Sequence, residues 1–147
     1  MGNRRKSREL AMQMLYQAEV GKQTPDEVRR TFWQARTTTD ADARGFAEDI
    51  FRIANERQAE IDGCIQQVST NWRLERMPAV DRNLLRAAIA EMIGFPGTPL
   101  PIIINESLEV AKLYAAPESV AFLNGVLDAA ARALPRPVKQ LDPKQPA

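Results

Sequence analysis

The sequence predicts an all-α fold of about six or seven helices, on three observations. First, apolar residues recur at helical spacing along most of the 147 residues. Second, helix-start and helix-stop residues separate these periodic stretches, and no crossover strands are present to build a sheet. Third, a chain of this length with 44% hydrophobic residues has enough apolar side chains to bury the core of one domain.

The first two helices are indicated by their boundary residues as well as by their apolar stripes. The first helix is predicted from about Arg4 to Val20, and Gly21 is a typical helix stop. Its apolar stripe consists of Leu10, Met14, Leu15 and Ala18. The second helix begins after Thr24, a favoured N-cap residue, with Pro25 at the first helical position. It carries Val28 and Phe32.

The middle of the chain predicts one long helix and one shorter helix. Asp40 caps the long third helix, whose apolar positions keep helical spacing over roughly seven turns. These positions are Phe46, Ile50, Ile53, Ile61, Cys64, Ile65 and Val68. Pro78 suits the first turn of the next helix, because proline lacks the N–H that is unpaired there anyway. In that helix Val80, Leu84, Ala88 and Met92 align.

Two further helices complete the pattern after a loop at residues 94–99, which is rich in glycine and proline. The run of three isoleucines at 102–104 would suit a strand in isolation, but the following apolar residues predict a helix that starts near Pro101. Pro117 opens the last helix. Asn124-Gly125 is a hairpin signal, but the helical periodicity of its flanks overrules it.

The predicted helices form a single domain, residues 1–134, made of two small helical subdomains. A break near residues 69–78 separates an N-terminal three-helix part, about 1–70, from a C-terminal bundle, about 71–134. Residues 135–147 hold four of the ten prolines and are predicted to be a disordered tail.

Composition excludes several classes of function. The sequence has no histidine, which removes the commonest general base and the commonest zinc ligand. No phosphate-binding glycine loop is visible, and the single cysteine, Cys64, rules out an internal disulfide or a CxxC motif. No apolar run is long enough for a membrane span or a signal peptide. We therefore expect a cytoplasmic, non-enzymatic protein without a metal site or cofactor.

The charge of the chain is concentrated at its start. The net charge is +1, and Arg4, Arg5, Lys6 and Arg8 contribute about +4, so the remainder carries about −3. Cations near a helix N-terminus are unfavourable by roughly a few tenths of a kcal/mol each, and an anionic partner would remove that cost. Two interpretations stay open on charge alone: a solvated, frayed terminus, or a nucleic-acid-binding arm with Tyr16 as a stacking face.

Other candidate residues allow a purely structural interpretation as well as a functional one. Phe122 lies at the margin of the last apolar stripe, where aromatic residues are usually packed, although an exposed ring could stack on RNA bases. Asp81, Arg82 and Arg86 fall on the polar side of their helix, as solvated charges or as the rim of a protein interface. Trp72 is interpreted as a structural plug between the two halves.

Four segments, in order and at approximately the same spacing, are similar to the NusB family. Residues 4–17, RRKSRELAMQMLYQ, resemble the family's RRxARExAxQxLYQ opening. The other three are VDRNLLR at 80–86 followed by AEM at 90–92, PIIINESLEVAK at 101–112, and FLNGVLD at 122–128. Together the four segments are specific, and the resemblance covers about residues 4–134.

The resemblance implies a transcription antitermination factor. Such a protein binds the boxA element of ribosomal RNA leader transcripts as single-stranded RNA within the transcription elongation complex, together with NusE, a ribosomal small-subunit protein. The RNA-binding residues implied by motif position are Arg4, Arg5, Lys6, Arg8, Tyr16, Lys112, Glu118, Ser119 and Phe122. The residues implied near the NusE-facing side are Glu75, Asp81, Arg82 and Arg86.

The sequence departs from the family pattern at two positions of the predicted RNA surface. Ala121 stands where a polar residue often precedes the final aromatic, and Pro117 replaces a common acidic residue. RNA affinity is therefore expected to depend more heavily on the basic start. Two alternatives remain: a homodimeric interaction module that masks its RNA surface, and a fragment of an enzyme, because a similar helical domain occurs fused to RNA cytosine methyltransferases.

Overall fold

A computed structural model describes residues 2–135, with side chains from residue 4 onward. Within these residues the structure has seven α-helices, two short 3-10 helices and no strand, which confirms the predicted fold class. The α-helices are α1 (Gly2–Val20), α2 (Pro25–Phe32), α3 (Ala41–Glu56), α4 (Gln58–Val68), α5 (Ala79–Gly94), α6 (Leu100–Tyr114) and α7 (Ser119–Ala133). The 3-10 helices are Trp33–Ala35 and Leu74–Arg76. The predicted disordered tail, 135–147, lies outside the described residues except for Pro135.

Local signals start and end the first helices as expected. Gly21 follows α1, where a Cβ would stand 2.6 Å from the Gln17 carbonyl oxygen, so a larger residue would clash. Thr24 caps α2 with a complete capping box, in which its side chain accepts from the Glu27 amide and Glu27 accepts from the Thr24 amide. Asp40 accepts hydrogen bonds from two amides at the start of α3. These three predictions are confirmed.

The prediction of one long third helix is wrong. The helix breaks at Arg57, whose backbone leaves helical geometry (φ −113°, ψ 24°), and residues on either side form α3 and α4. The break turns α4 toward α5 and α7, while α3 packs on α1 and α5. The apolar spacing did not indicate this break. Ala54 and Ile61, on either side of it, are seven residues apart and both buried, as in a continuous helix.

The core is one cluster of buried apolar side chains to which all seven helices contribute. Helix α5 lies at its centre, in contact with α1, α3, α4, α6 and α7. It is buried around most of its circumference, because most of its side chains are small or aliphatic. It ends at Gly94, where any side chain would run into Ile53. The division into parts at about residue 70 stays a prediction.

Among the described helices, none combines the length and the apolar character that crossing a bilayer requires.

Candidate nucleic-acid interface

The start of α1 presents three exposed cations. Arg4, Arg5 and Lys6 are exposed, and no acidic residue lies in the first helical turn. The partial positive charge of the helix N-terminus adds to their potential. Lys6 is 3.6 Å from a carboxylate oxygen of Glu9, one turn along the same helix. This surface is the most cationic feature of the predicted RNA-binding residues.

Arg8 differs from the other three cations because it is buried. Its side chain is 9% exposed, and its guanidinium donates two hydrogen bonds of 2.7 Å to the two oxygens of Glu91, which is 1% exposed. Helix geometry explains the difference, since Arg8 shares a face of α1 with the buried residues Met12 and Leu15. Arg8 is therefore not a fourth exposed cation beside Arg4, Arg5 and Lys6; it joins α1 to α5.

Arg5 is held in place by a carboxylate on α6. Its guanidinium donates hydrogen bonds of 2.8 and 3.0 Å to the two oxygens of Glu106. These hydrogen bonds hold the pKa of the Glu106 carboxyl below its usual range. The pair is partly exposed, so it positions Arg5 at the surface while leaving solvent or a ligand access to it.

Arg4 lies on an aromatic surface formed by α3 and the α5–α6 loop. Its guanidinium carbon is 3.9 Å from the centroid of the Phe46 ring, a close cation–π contact. Phe46 in turn makes an edge contact with Phe95, with the ring centroids 4.8 Å apart. These three side chains line a groove of 610 Å³ that also contains Arg5, Arg8, Thr98, Ile102 and Glu106. We call it the arm groove.

Tyr16 lies further along α1, in a second groove. It is 38% exposed and lines a groove of 480 Å³ with Val20, Val80 and Tyr114, among others. The hydroxyl of Tyr114 donates to Glu9 and accepts from Gln13 at 3.0 Å. Burial and then the bond to the Glu9 carboxylate raise the pKa of Tyr114 to about 12. A row of polar and aromatic side chains thus links the basic start of α1 to Tyr16.

The predicted RNA-binding residues on α6 and at the start of α7 occupy different environments. Lys112 and Glu118 are exposed, and the Lys112 ammonium is 2.8 Å from a carboxylate oxygen of Glu109. Ser119 is half-buried and donates a hydrogen bond to Asp81. Phe122 is half-buried, with one edge in contact with Trp72 at a centroid distance of 6.3 Å.

Trp72 is not the plug that the sequence predicted. It is 54% exposed, on a loop whose backbone is held by hydrogen bonds to Gln66 and Ser69. The indole contacts Phe122, which is 50 positions away in the sequence, so no local pattern indicates where it lies. The consequence is an aromatic pair at the surface, of which Trp72 is the more accessible member.

Two interpretations were open for Asp81, Arg82 and Arg86, solvated charges or the rim of a protein interface, and their burial excludes the first. Asp81 is 3% exposed, and the Arg82 and Arg86 side chains are 11% and 13% exposed. Burial raises the pKa of the Asp81 carboxyl, and the hydrogen bond from Ser119 offsets part of the increase. Glu75 alone is well exposed; its hydrogen bond from Arg73 lowers its pKa.

Two acidic residues that sequence reasoning missed organise this region. Glu19 forms ion pairs with Arg82 and Arg86, and Asp62 accepts hydrogen bonds of 2.8 and 3.0 Å from Arg86. Burial raises the pKa of Glu19, but hydrogen bonds from Arg82 and Asn83 outweigh it and lower the pKa overall. The position of Glu19 in the last turn of α1 was an available signal, since acids are unfavourable at a helix C-terminus.

The predicted site residues therefore form two surface groups. Arg4, Arg5 and Lys6 lie at one end of α1, and Tyr16 lies about 16 Å along it from Arg5 by helical rise. Ser119 and Phe122 lie where α7 begins, beside the first turn of α5. Val80 of that turn lines the groove of Tyr16, which brings the two groups to neighbouring parts of the surface.

The chain is similar to known proteins of one family. The model of the NusB family matches residues 5–132. The chain is 56% identical over 133 residues to the transcription antitermination protein NusB of Koribacter versatilis (strain Ellin345), covering 90% of this chain and 91% of that protein. It is 43% identical over 136 residues to the protein of the same name from Sorangium cellulosum (strain So ce56), covering 92% and 96%.

Solved structures show the same fold. NusB of T. maritima superimposes with a TM-score of 0.84 at 29% identity, covering 94% of this chain and 96% of that one. A chain from a crystal structure of the antitermination factors NusB and NusE in complex with dsRNA superimposes with a TM-score of 0.82 at 26% identity, covering 91% and 99%. Since the family match and these similarities extend over nearly the whole described structure, this chain belongs to the NusB family.

Proposed function

We propose that this protein is a non-enzymatic transcription antitermination factor that binds boxA RNA of ribosomal RNA leader transcripts together with NusE. The observation that carries the proposal is the exposed basic start of α1, formed by Arg4, Arg5 and Lys6. It is supported by the names of the relatives and by the similarity to a structure that contains NusB, NusE and dsRNA. We place the complex in the cytoplasm, on the transcription elongation complex.

Electrostatics give the physical reason for an anionic partner. Three exposed cations lie at the positive end of a helix without a first-turn carboxylate to offset them. Phosphate contacts would remove this repulsion and release counterions from the RNA. We infer single-stranded RNA as the ligand, because Tyr16, about 16 Å along α1 from Arg5, and the half-buried Phe122 offer ring surfaces for unpaired bases.

A salt titration tests the proposal. We would measure the affinity for a single-stranded boxA-type RNA and for a duplex of the same sequence, with and without NusE. The Arg5→Ala/Lys6→Ala variant is expected to bind more weakly, with a salt slope lower by about 1.4, since each contact to a single strand contributes about 0.7.

The matched control removes two other exposed arginines. Arg52 and Arg57 also form surface ion pairs, and they lie toward the end of α3 remote from Phe46. The Arg52→Ala/Arg57→Ala variant should bind RNA like the wild type. If both double variants behave alike, the basic start of α1 is not the RNA site.

The NusE-binding side is proposed around Glu75, with Asp81, Arg82 and Arg86 beneath it. Glu75 is the exposed member, whereas the other three are held in a network with Ser119, Glu19 and Asp62. Glu75→Lys is therefore expected to weaken binding of NusE without loss of stability. Arg86→Ala should lower the Tm as well, because it leaves Asp62 without its arginine partner and removes one of the two arginines paired with Glu19. Equal NusE affinity of Glu75→Lys and the wild type would remove Glu75 from this interface.

A homodimeric interaction module remains the second candidate function. It is favoured by the exposed apolar side chains of Tyr16, Val20 and Tyr114 around one groove. In such a dimer the RNA surface would be masked, so RNA and dimer formation would compete. Light scattering at increasing RNA concentration distinguishes the two: dimerisation that RNA does not affect would contradict masking.

A further inference from the structure

We propose that the arm groove is a binding site for one unpaired nucleobase, which stacks on the guanidinium of Arg4. This inference rests on the RNA-binding function proposed above. It adds a chemical division of labour among the cations: Arg4 stacks on a base and also contributes its charge, while Lys6 and Arg5 act only through their charge on phosphates.

Arg4 is supported by an aromatic ring. Its guanidinium carbon lies over the Phe46 ring, 3.9 Å from the centroid, so the ring covers one side of the guanidinium. Phe46 is 7% exposed and is packed edge-on against Phe95, so this support is rigid. Because Arg4 is exposed, the side of its guanidinium away from Phe46 is accessible to a second planar group. The planar guanidinium of arginine stacks on bases, whereas the ammonium group of lysine is not planar and does not.

The neighbouring arginines are paired differently from Arg4. Arg5 and Arg8 each direct a guanidinium edge at both oxygens of one carboxylate, Glu106 and Glu91 respectively. Among the described side chains, Arg4 has no carboxylate within ion-pair distance. It is therefore the arginine of the arm whose N–H edge can bond a phosphate or a base edge without first breaking an ion pair.

The arm groove also has a suitable shape and chemistry. Its volume of 610 Å³ lies within the range of small-ligand pockets, about 300–1,000 Å³, and its walls combine apolar side chains, arginines and the carboxylate of Glu106. Phe95 and the half-exposed Ile102 supply apolar walls, while Arg4 and Arg5 make its rim attractive to phosphate. An amphipathic, anionic unit such as a nucleotide fits both features.

The test separates the planar shape of Arg4 from its charge. Arg4→Lys keeps the charge and loses the plane, whereas Arg4→Ala loses both. With the single-stranded boxA-type RNA, we expect Arg4→Lys to bind at least about fivefold more weakly, equivalent to about 1 kcal/mol. Its salt slope should stay at the wild-type value, while that of Arg4→Ala should fall by about 0.7. Arg52→Lys, the same change at an exposed arginine on α3, should have no effect.

A scan of the RNA with single abasic nucleotides identifies the base. For the wild type, an abasic nucleotide at one position should weaken RNA binding about as much as the Arg4→Lys substitution does. For the Arg4→Lys variant, the same abasic nucleotide should weaken binding little further. Such non-additivity shows that the side chain and the base contact each other.

The possible outcomes are distinguishable. If the wild type binds no RNA, the proposed function and this inference both fail. If the wild type binds RNA, and Arg4→Ala weakens binding while Arg4→Lys does not, then Arg4 acts as a charge only and the inference alone is overturned. Equal losses at every abasic position, in both proteins, would overturn it as well.

Discussion

Glu91→Gln is expected to destabilise the protein strongly, because Glu91 is the partner of a buried arginine. Arg8 is 9% exposed and Glu91 is 1% exposed, and two hydrogen bonds of 2.7 Å join them between α1 and α5. The glutamine would keep the approximate shape of Glu91 but not its charge. The guanidinium would then remain largely buried without a full counter-charge.

The magnitude follows from the surroundings of the pair. Removal of one member of a buried ion pair costs about 3–5 kcal/mol. We expect the lower end, about 3 kcal/mol, because Glu106 lies 4.0 Å from Arg8 and supplies a second, weaker counter-charge. For a domain of this size, where 1 kcal/mol shifts the Tm by roughly 3 °C, the Tm should fall by about 10 °C.

The assay compares three proteins by urea and thermal unfolding: the wild type, Glu91→Gln, and Arg8→Met/Glu91→Leu. The double variant replaces the pair by apolar side chains in an environment that includes Met12, Ile50 and Leu84. Such replacements are often neutral or stabilising, so its stability should lie within about 1 kcal/mol of the wild type. Because Arg8 is buried, the double variant should also bind RNA within about twofold of the wild type, a change of under about 0.5 kcal/mol.

Two results would refute this reasoning. A loss below about 1 kcal/mol for Glu91→Gln would show that the pair behaves like a solvent-exposed one. A stable double variant that loses RNA binding as Arg5→Ala/Lys6→Ala does would return Arg8 to the RNA-contacting residues.

Three further predictions concern capping, pH and the arm. Thr24→Ala should destabilise the protein by about 1 kcal/mol through loss of the α2 cap, measured by urea unfolding against the exposed-site control Thr38→Ala. Tyr114 has its pKa raised from 10 to about 12 in the fold, so its contribution to stability is complete below pH 10 and is lost as the pH rises through 12. Tyr114→Phe should therefore show a smaller loss of stability over that window in alkaline denaturation. Glu106→Gln removes the carboxylate that competes with phosphate for Arg5, and should raise RNA affinity at low salt by about two- to fivefold in the same titration; unchanged or weaker binding would indicate that the pair pre-positions Arg5 instead.

Much of the helical pattern could be predicted because it depends on neighbours in the sequence. The Thr24 capping box, the Asp40 cap and the stop at Gly21 are contacts between residues a few positions apart. The overruled hairpin at Asn124-Gly125 follows the same logic, since the apolar periodicity of its flanks extends over several turns. The break at Arg57 could not be predicted in this way, because it serves contacts of α4 with α5 and α7 that lie far away in the sequence.

The candidate site divides along the same line. The cluster of basic residues at the start of the chain is visible in the sequence, and so is its unfavourable placement at a helix N-terminus. Which of these cations faces a ligand is decided elsewhere: Glu91 on α5 takes Arg8 into the interior, and Glu106 on α6 holds Arg5 at the surface. Phe46 on α3 supports Arg4.

The sequence by itself therefore determined the all-α class, the family and the location of the charge, since periodicity, motifs and composition are properties of the chain alone. Only the tertiary structure decided that Arg8 is structural, that Arg4 lies on an aromatic ring, and that Trp72 is exposed. The physical reason is that burial and ion pairing depend on partners about 40 to 100 positions away, such as Glu91 and Glu106. Short-range sequence patterns carry no information about those partners, which come together only when the helices pack.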